Sequence, residues 1–475
     1  MKQQQGSMEE GLLLLDSNNA DDCSSTKKPS RGATAIVVLS TFVAVCGPLC
    51  HGCAMGFSSP AESGIMEDLG LSLAEYSFFG STMTIGGMIG ALFSGRVASI
   101  IGRKGAMWLS ELFLIIGWLA IIFAKVAWVL DMGRLLIGLG VGLITYVVPV
   151  YIAEITPKDL RGAFSSSNQL MVNLGFAIVY FIGNDIHWRT LALIGAIPCV
   201  IQLIGLFFIP ESPRWQAICD REKEFEDTLQ RLRGKNVDIS EEADDIRSIT
   251  KALQQQSKTT IYALFQKRYA YALTIGVGLV LSSQLGGCAA LSYYGSSIFK
   301  ETGFSTSIGT STVAVVLVVS GVVGLLLMDV LGRRPLLLIS SAGTCMCSFL
   351  VGLSFCLQGI GQLKDITPTM AYIGISGYFA AYTIGIAGIP WIIMSEIFPM
   401  NVKGSAGSLL ALINWSSSWL VTYTFNFMMQ WSPTGTFFIF AGVCGLTFVF
   451  SWKLVPETKG RTLEDIQASI THVWQ

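Results

Sequence analysis

The chain has 475 residues, 52% of them hydrophobic and 13% charged, with a formal net charge of −1 and a mean hydropathy of +0.57. The charged share is about half that of ordinary soluble domains, which excludes a water-soluble class, and the near-neutral balance leaves no basic footprint for nucleic acid. The eleven cysteines are scattered, mostly in apolar runs such as Cys345, Cys347 and Cys356, without paired metal-type spacing; they read as small core residues, and neither a metal nor a cofactor is expected.

Residues 1–34, rich in Gln, Ser, Asn, Asp and Lys, read as a disordered cytosolic tail. Within it, Glu9-x-x-x-Leu13-Leu14 has the form of an acidic dileucine sorting signal for an adaptor, or is an accident of a four-leucine run. Apolar runs long enough to cross a bilayer then fall near 35–60, 75–97, 106–124, 128–152, 162–183 and 189–209. The first is too long and too far in for a cleaved signal peptide. A polar stretch, 210–269, follows; Arg221 to Leu232 and Glu241 to Leu253 pattern as charged amphipathic helices, so it reads as a cytosolic helical connector. Six further runs lie near 270–296, 307–329, 335–357, 371–394, 404–428 and 435–454, and 455–475 is a short cytosolic tail. The expected fold is therefore an all-α integral membrane bundle of twelve transmembrane helices, with a first half at 35–209 and a second at 270–454. Gly86-Gly87 and Gly138-x-Gly140-x-Gly142 predict close helix contact.

Lys and Arg mark one face. Lys27, Lys28 and Arg31, then Arg96, Arg103 and Lys104, then Lys158 and Arg161, then Arg333 and Arg334, then Lys403 all fall on the same side of a twelve-span chain, which puts both termini in the cytosol. The loops also repeat. Gly102-Arg103-Lys104 returns as Gly332-Arg333-Arg334, Glu154-x6-Arg161-Gly162 as Glu396-x6-Lys403-Gly404, and Pro210-Glu211-Ser212 as Pro456-Glu457-Thr458. Two membrane halves rocking about a central site are a standard build of a secondary transporter. The cations Arg103, Arg161, Arg333, Arg334 and Lys403 and the carboxylates Glu154, Glu211, Glu396 and Glu457, set at loop positions, are expected to pair across the halves as a cytosolic gate; the alternative is that the cations only anchor helices at the anionic leaflet.

With Val148-Pro149-Val150-Tyr151-Ile152-Ala153-Glu154, Pro210-Glu211-Ser212-Pro213-Arg214-Trp215, Asp329-x-x-Gly332-Arg333-Arg334 and Pro456-Glu457-Thr458-Lys459-Gly460 assembled, the chain resembles the sugar porters of the major facilitator superfamily from residue 34 onward. Tyr146-Val147-Val148-Pro149 and Ile389-Pro390-Trp391 through Pro399 make it most similar to the plant early-responsive-to-dehydration (ERD) sugar carriers. The resemblance implies a carrier of monosaccharides such as glucose and fructose, no enzyme, and a sugar pocket of Gln169, Gln284, Trp391, Asn414 and Trp415, with Thr145 as a weaker member. Desolvated hydroxyls need such neutral donors and acceptors; the alternative for each is a helix-to-helix contact. Compared with the family, Ser283 replaces the first of a Gln pair, Ala289 and Leu317 replace Asn, and Thr383 replaces Glu, so fewer hydroxyl partners remain. Proton-driven members carry an Asp in the first span near a fourth-span Arg; here Arg134 is present and Ala54 stands at the Asp position, which implies facilitated diffusion. His51 and Glu111 are the alternative coupling groups for protons. The dileucine signal implies the vacuolar membrane, with the plasma membrane as the alternative, and a non-transporting sugar sensor is a remote alternative.

Overall fold

The computed structural model describes residues 34–157, 160–255, 264–361, 365–398 and 400–459. The dileucine signal at Glu9, Leu13 and Leu14, Lys158 and the chain after 459 lie outside them. Helices α1 (Ala35–Leu69), α2 (Leu73–Ile122), α3 (Ala127–Ile155), α4 (Arg161–Ile182) and α5 (Trp188–Gly205) build the first half. The second half is α9 (Lys267–Leu285), α10 (Cys288–Thr302), α11 (Thr306–Leu331), α12 (Arg333–Ile360), α13 (Thr367–Ile384), α14 (Ile389–Ile397), α15 (Met400–Trp431) and α16 (Pro433–Leu454). Gly102 breaks α2 into two spans, and α9–α10 and α13–α14 each form one broken span, which gives six membrane segments on either side of the connector. Large apolar side chains such as Phe207, Leu326, Met346 and Trp452 stay exposed around the bundle, as lipid rather than water demands.

Local chemistry sets the helix limits. Ser72 caps α2, accepting from the Glu75 amide while the Glu75 carboxylate accepts from the Ser72 amide, a reciprocal pair that satisfies two end donors. The glycine pattern does what its spacing predicts. A Cβ on Gly86 would lie 2.2 Å from the Leu135 carbonyl oxygen, and one on Gly138 would lie 2.1 Å from that of Met83, so α2 and α3 touch backbone to backbone.

Between the halves, α6 (Pro213–Ile218), α7 (Glu222–Arg233) and α8 (Ser240–Gln255) form the helical connector. Arg233 closes a fork on Glu242 at 2.9 and 2.7 Å and donates to the Ile155 carbonyl at 2.7 Å, fastening the connector to the end of α3. Phe225 and Leu229 pack with Ala243 and Ile246, the apolar stripes that make the two helices amphipathic.

Candidate functional site

The repeated loops fold into repeated turns. Gly102 (φ 85°, ψ 171°) and Gly332 (φ 91°, ψ 174°) adopt one left-handed-side conformation, which suits glycine. Each turns the next two amides toward a carboxylate. Arg103 and Lys104 donate backbone N–H to Glu211 at 3.0 and 3.1 Å, and Arg333 and Arg334 do the same to Glu457 at 3.1 and 3.0 Å. A Cβ at Gly102 would lie 2.3 Å from Glu211 Oε2, so glycine also makes room for the anion. Burial pushes the Glu211 carboxyl above its ordinary range despite the amides of Ser212, Lys104 and Arg103. Burial raises Glu457 as well, but the amides of Lys459, Arg333, Arg334 and Thr458 outweigh it and hold that carboxyl below the ordinary range.

The arginine side chains pair differently from the expectation. Arg103 closes a two-bond fork on Glu154 at 2.8 Å from both Nε and Nη2, and Ser212 Oγ also donates to Glu154. Arg333 reaches Glu396 through Nη2 at 3.2 Å, leaving Arg333 Nε and Glu396 Oε2 buried without partners among the described residues. Both pairs stay inside their own half. The expected pairing across halves is corrected for these residues: the turn that presents each Arg is built from the same half as its Glu, and Glu154 and Glu396 sit in the last turns of α3 and α14 rather than in loops. Arg334 donates to the Trp452 carbonyl, again within its half. The side chains of Arg161 and Lys403 lie outside what the structure describes.

At the opposite end of the bundle, polar bonds do cross. Ser59 Oγ and Ser296 Oγ meet at 2.8 Å, Ser297 donates to Glu62, Asn184 donates to Thr310 at 2.6 Å, and Asn426 donates to Ser77 at 2.8 Å. Tyr180 adds a 2.7 Å bond to the Ser292 carbonyl. The described bundle is thus sealed at this end by α1, α2 and α4 against α10, α11 and α15.

Midway, the broken spans place polar and aromatic side chains beside their breaks. Gln284 is the penultimate residue of α9, before the Gly286-Gly287 break, and donates to Asn414 Oδ1 of α15 at 2.9 Å. Trp415 follows Asn414, its indole against Gly87 of the first half and 6.3 Å from the His51 ring. Trp391, just after the α13–α14 break, is 37% exposed. Gln169 is exposed and donates to Asn173 at 3.2 Å, while Asn173 reaches the Leu317 carbonyl across the halves at 3.5 Å. Asn173 was missed in the sequence although it lies one turn from Gln169 on the same face, the spacing that would have found it. Thr145 instead donates to the Gly142 carbonyl of its own helix at 3.1 Å, so the structure leaves it out of the amide groups.

The coupling candidates separate. Arg134 is fully buried; its Nη1 donates to the Ala54 carbonyl at 2.8 Å, its Nη2 to Ser58, and it packs on the rings of Phe57 and Phe79. The His51 ring faces Trp415 with Nε2 unpartnered. Glu111 lies among cysteines of α1 and α5.

The family model described as "Sugar (and other) transporter" matches residues 23–469. The chain is 51% identical over 471 residues to Sugar transporter ERD6-like 11 of Arabidopsis thaliana, covering 99% of both chains. It is also 51% identical to Sugar transporter ESL1 of the same plant, over 100% of each, and 53% identical to ERD6-like 1, over 98% of each. Among solved structures, the inward open conformation of the xylose transporter XylE from E. coli superposes with a TM-score of 0.78 at 24% identity, over 91% of this chain and 99% of that one. The proton:xylose symporter XylE bound to 6-bromo-6-deoxy-D-glucose gives 0.76, also at 24%, over 94% and 100%; at that identity the likeness speaks for the fold.

Proposed function

The chain belongs to the sugar transporter family of the major facilitator superfamily, and from that premise we propose that it carries hexose-type monosaccharides such as glucose and fructose by alternating access, as facilitated diffusion. The observation that carries this reading is the asymmetry of the seals: hydrogen bonds join the halves at the Ser59–Ser296 end, whereas the arginine–glutamate pairs of the other end each stay in one half. An amide pair and an indole, Gln284–Asn414 with Trp415, lie between these ends, with Gln169 and Trp391 exposed to receive hydroxyls. Rocking the halves would trade the polar seal at one end for closure at the other, moving the bound sugar across. The units of this motion are 35–209 and 270–454, joined by the connector 210–269. The charged turns face the cytosol, and the favoured membrane is that of the vacuole, with the N-terminal dileucine read by an adaptor.

Facilitated diffusion rests on Arg134, whose partners are carbonyl, hydroxyl and ring faces rather than a carboxylate. Without a group that exchanges a proton beside that cation, sugar movement has no reason to be tied to proton movement. A second reading, proton symport, is favoured by one observation, the unpartnered Nε2 of His51 beside Trp415. Labelled glucose and fructose flux into liposomes, with and without an imposed pH gradient, separates them. Equilibration indifferent to the gradient supports the uniporter; accumulation supports symport through His51; no flux of either sugar overturns the hexose assignment.

A further inference from the structure

Apart from both gates and the central amides lies one buried cluster in the first half that facilitated diffusion leaves unused. Cys50 of α1 and Cys199 of α5 lie side by side with Sγ–Sγ 2.7 Å, both free thiols with no exposure. Trp118 Nε1 donates to Cys50 Sγ at 3.4 Å and fixes its position. Two polar side chains border the pair. Glu111 of α2 is fully buried with its carboxyl against the Cys199 thiol, its hydrogen-bonding neighbour among the described residues. Gln202, one turn beyond Cys199 on α5, is also fully buried with both amide atoms unpartnered, its Oε1 close to Gly47 of α1. An amide left unpaired in an apolar bundle is costly, and beside a carboxyl set against a thiol it points to a small polar guest next to the two sulfurs.

We propose that Cys50 and Cys199 form a redox modification site, oxidised to a disulfide by small hydroperoxides such as hydrogen peroxide, which are uncharged and enter the membrane. The Glu111 carboxyl relays the proton, accepting that of the Cys199 thiol on one oxygen and passing its own from the other to the departing oxygen, as the sulfur attacks one peroxide oxygen. The O–O bond breaks, leaving a sulfenic acid on Cys199 and a hydroxide that takes up a proton to leave as water. Cys50 sulfur then attacks Cys199 sulfur, the S–O bond breaks, and the Cys50 proton leaves with that oxygen as a second water. Two thiols and one peroxide give one disulfide and two waters; the sulfurs lose two electrons and the peroxide gains them. The new bond ties α1, which carries the Ser59 and Glu62 seal, to α5.

The test uses the full chain in lipid nanodiscs, exposed to dilute hydrogen peroxide, alkylated, and mapped by mass spectrometry without reduction. A Cys50–Cys199 linked peptide is expected under conditions that leave the buried Cys288 and Cys444 free, reversed by dithiothreitol and absent from Cys199→Ser and from Cys50→Ser. Glu111→Gln is expected to slow the link about tenfold or more, and an equal rate would overturn the proton-transfer step. The site itself is overturned if both thiols stay free while the exposed Cys219 is oxidised, or if Cys50 is recovered joined to Cys46 or Cys53. The readout involves no sugar, so its failure leaves the transport reading standing.

Discussion

Arg134 Nη1 donates to the backbone carbonyl of Ala54 at 2.8 Å, so a fully buried guanidinium is held by a neutral oxygen and not by a carboxylate. Its Nε finds no partner among the described residues. Such an arrangement keeps the cation in place through ring faces and dipoles, with no carboxylate among its described partners.

Ala54→Asp is therefore expected to install one. In liposomes the variant should accumulate sugar above equilibrium under a pH gradient, with a ceiling of about tenfold per unit of gradient for one proton per sugar, while the wild type only equilibrates. Accumulation by the wild type, or mere equilibration by a folded Ala54→Asp protein, would sink the account of Arg134.

Gln284→Ala removes the donor to Asn414 and leaves the Asn414 oxygen and any sugar hydroxyl without that amide. The loss of a buried polar partner costs about 1–3 kcal/mol, so the half-saturation concentration for flux should rise by about 5- to 150-fold. Gln169→Ala should weaken uptake in the same direction. Wild-type concentration dependence in both variants, at wild-type expression, would remove these amides from the sugar site.

The two arginine–glutamate pairs should not be worth the same. Arg103 makes both bonds of its fork with side chains 12% exposed on each partner, whereas Arg333 makes one, with the partners 20% and 23% exposed. Removing one member of a buried pair costs about 3–5 kcal/mol. Arg103→Ala, its pair being only part-buried, should fall short of that range and still lower the thermal midpoint more than Arg333→Ala does. The reverse order, measured in the same detergent, would contradict the geometry.

Acid should loosen one repeated turn and spare the other. Glu457 is held below its ordinary pKa, so its contribution is present above the ordinary carboxylate range and disappears as pH falls through its lower native value. Glu211 is shifted upward, so it binds a proton more readily in the fold, and its contribution grows as pH falls and is lost as pH rises. Hydrogen exchange followed below about pH 4.5, the ordinary range for glutamate, should show the amides of Arg333, Arg334, Thr458 and Lys459 losing protection while those of Arg103, Lys104 and Ser212 keep theirs. Equal loss in both turns would refute the distinction.

The sequence by itself determined the membrane class, the segment count, the duplicated architecture and the close helix contact at Gly86 and Gly138. These follow from chain-local facts: an apolar run of given length must span, and a glycine stripe lacks the Cβ atoms that keep backbones apart. It also singled out Gln284 and Asn414, through resemblance rather than spacing. Which groups meet was decided only in three dimensions. Arg103 and Glu154 are 51 residues apart and Cys50 and Cys199 are 149 apart, and no periodicity encodes such pairs. The cross-half seal at Ser59–Ser296 and Glu62–Ser297 joins residues more than 230 apart, and those serines look ordinary in the sequence. Charge repetition suggested that arginine and glutamate would bridge the halves, but each turn folds on its own carboxylate. A two-bond fork requires the donor and acceptor to be oriented by packed neighbours, and only the tertiary structure supplies that orientation.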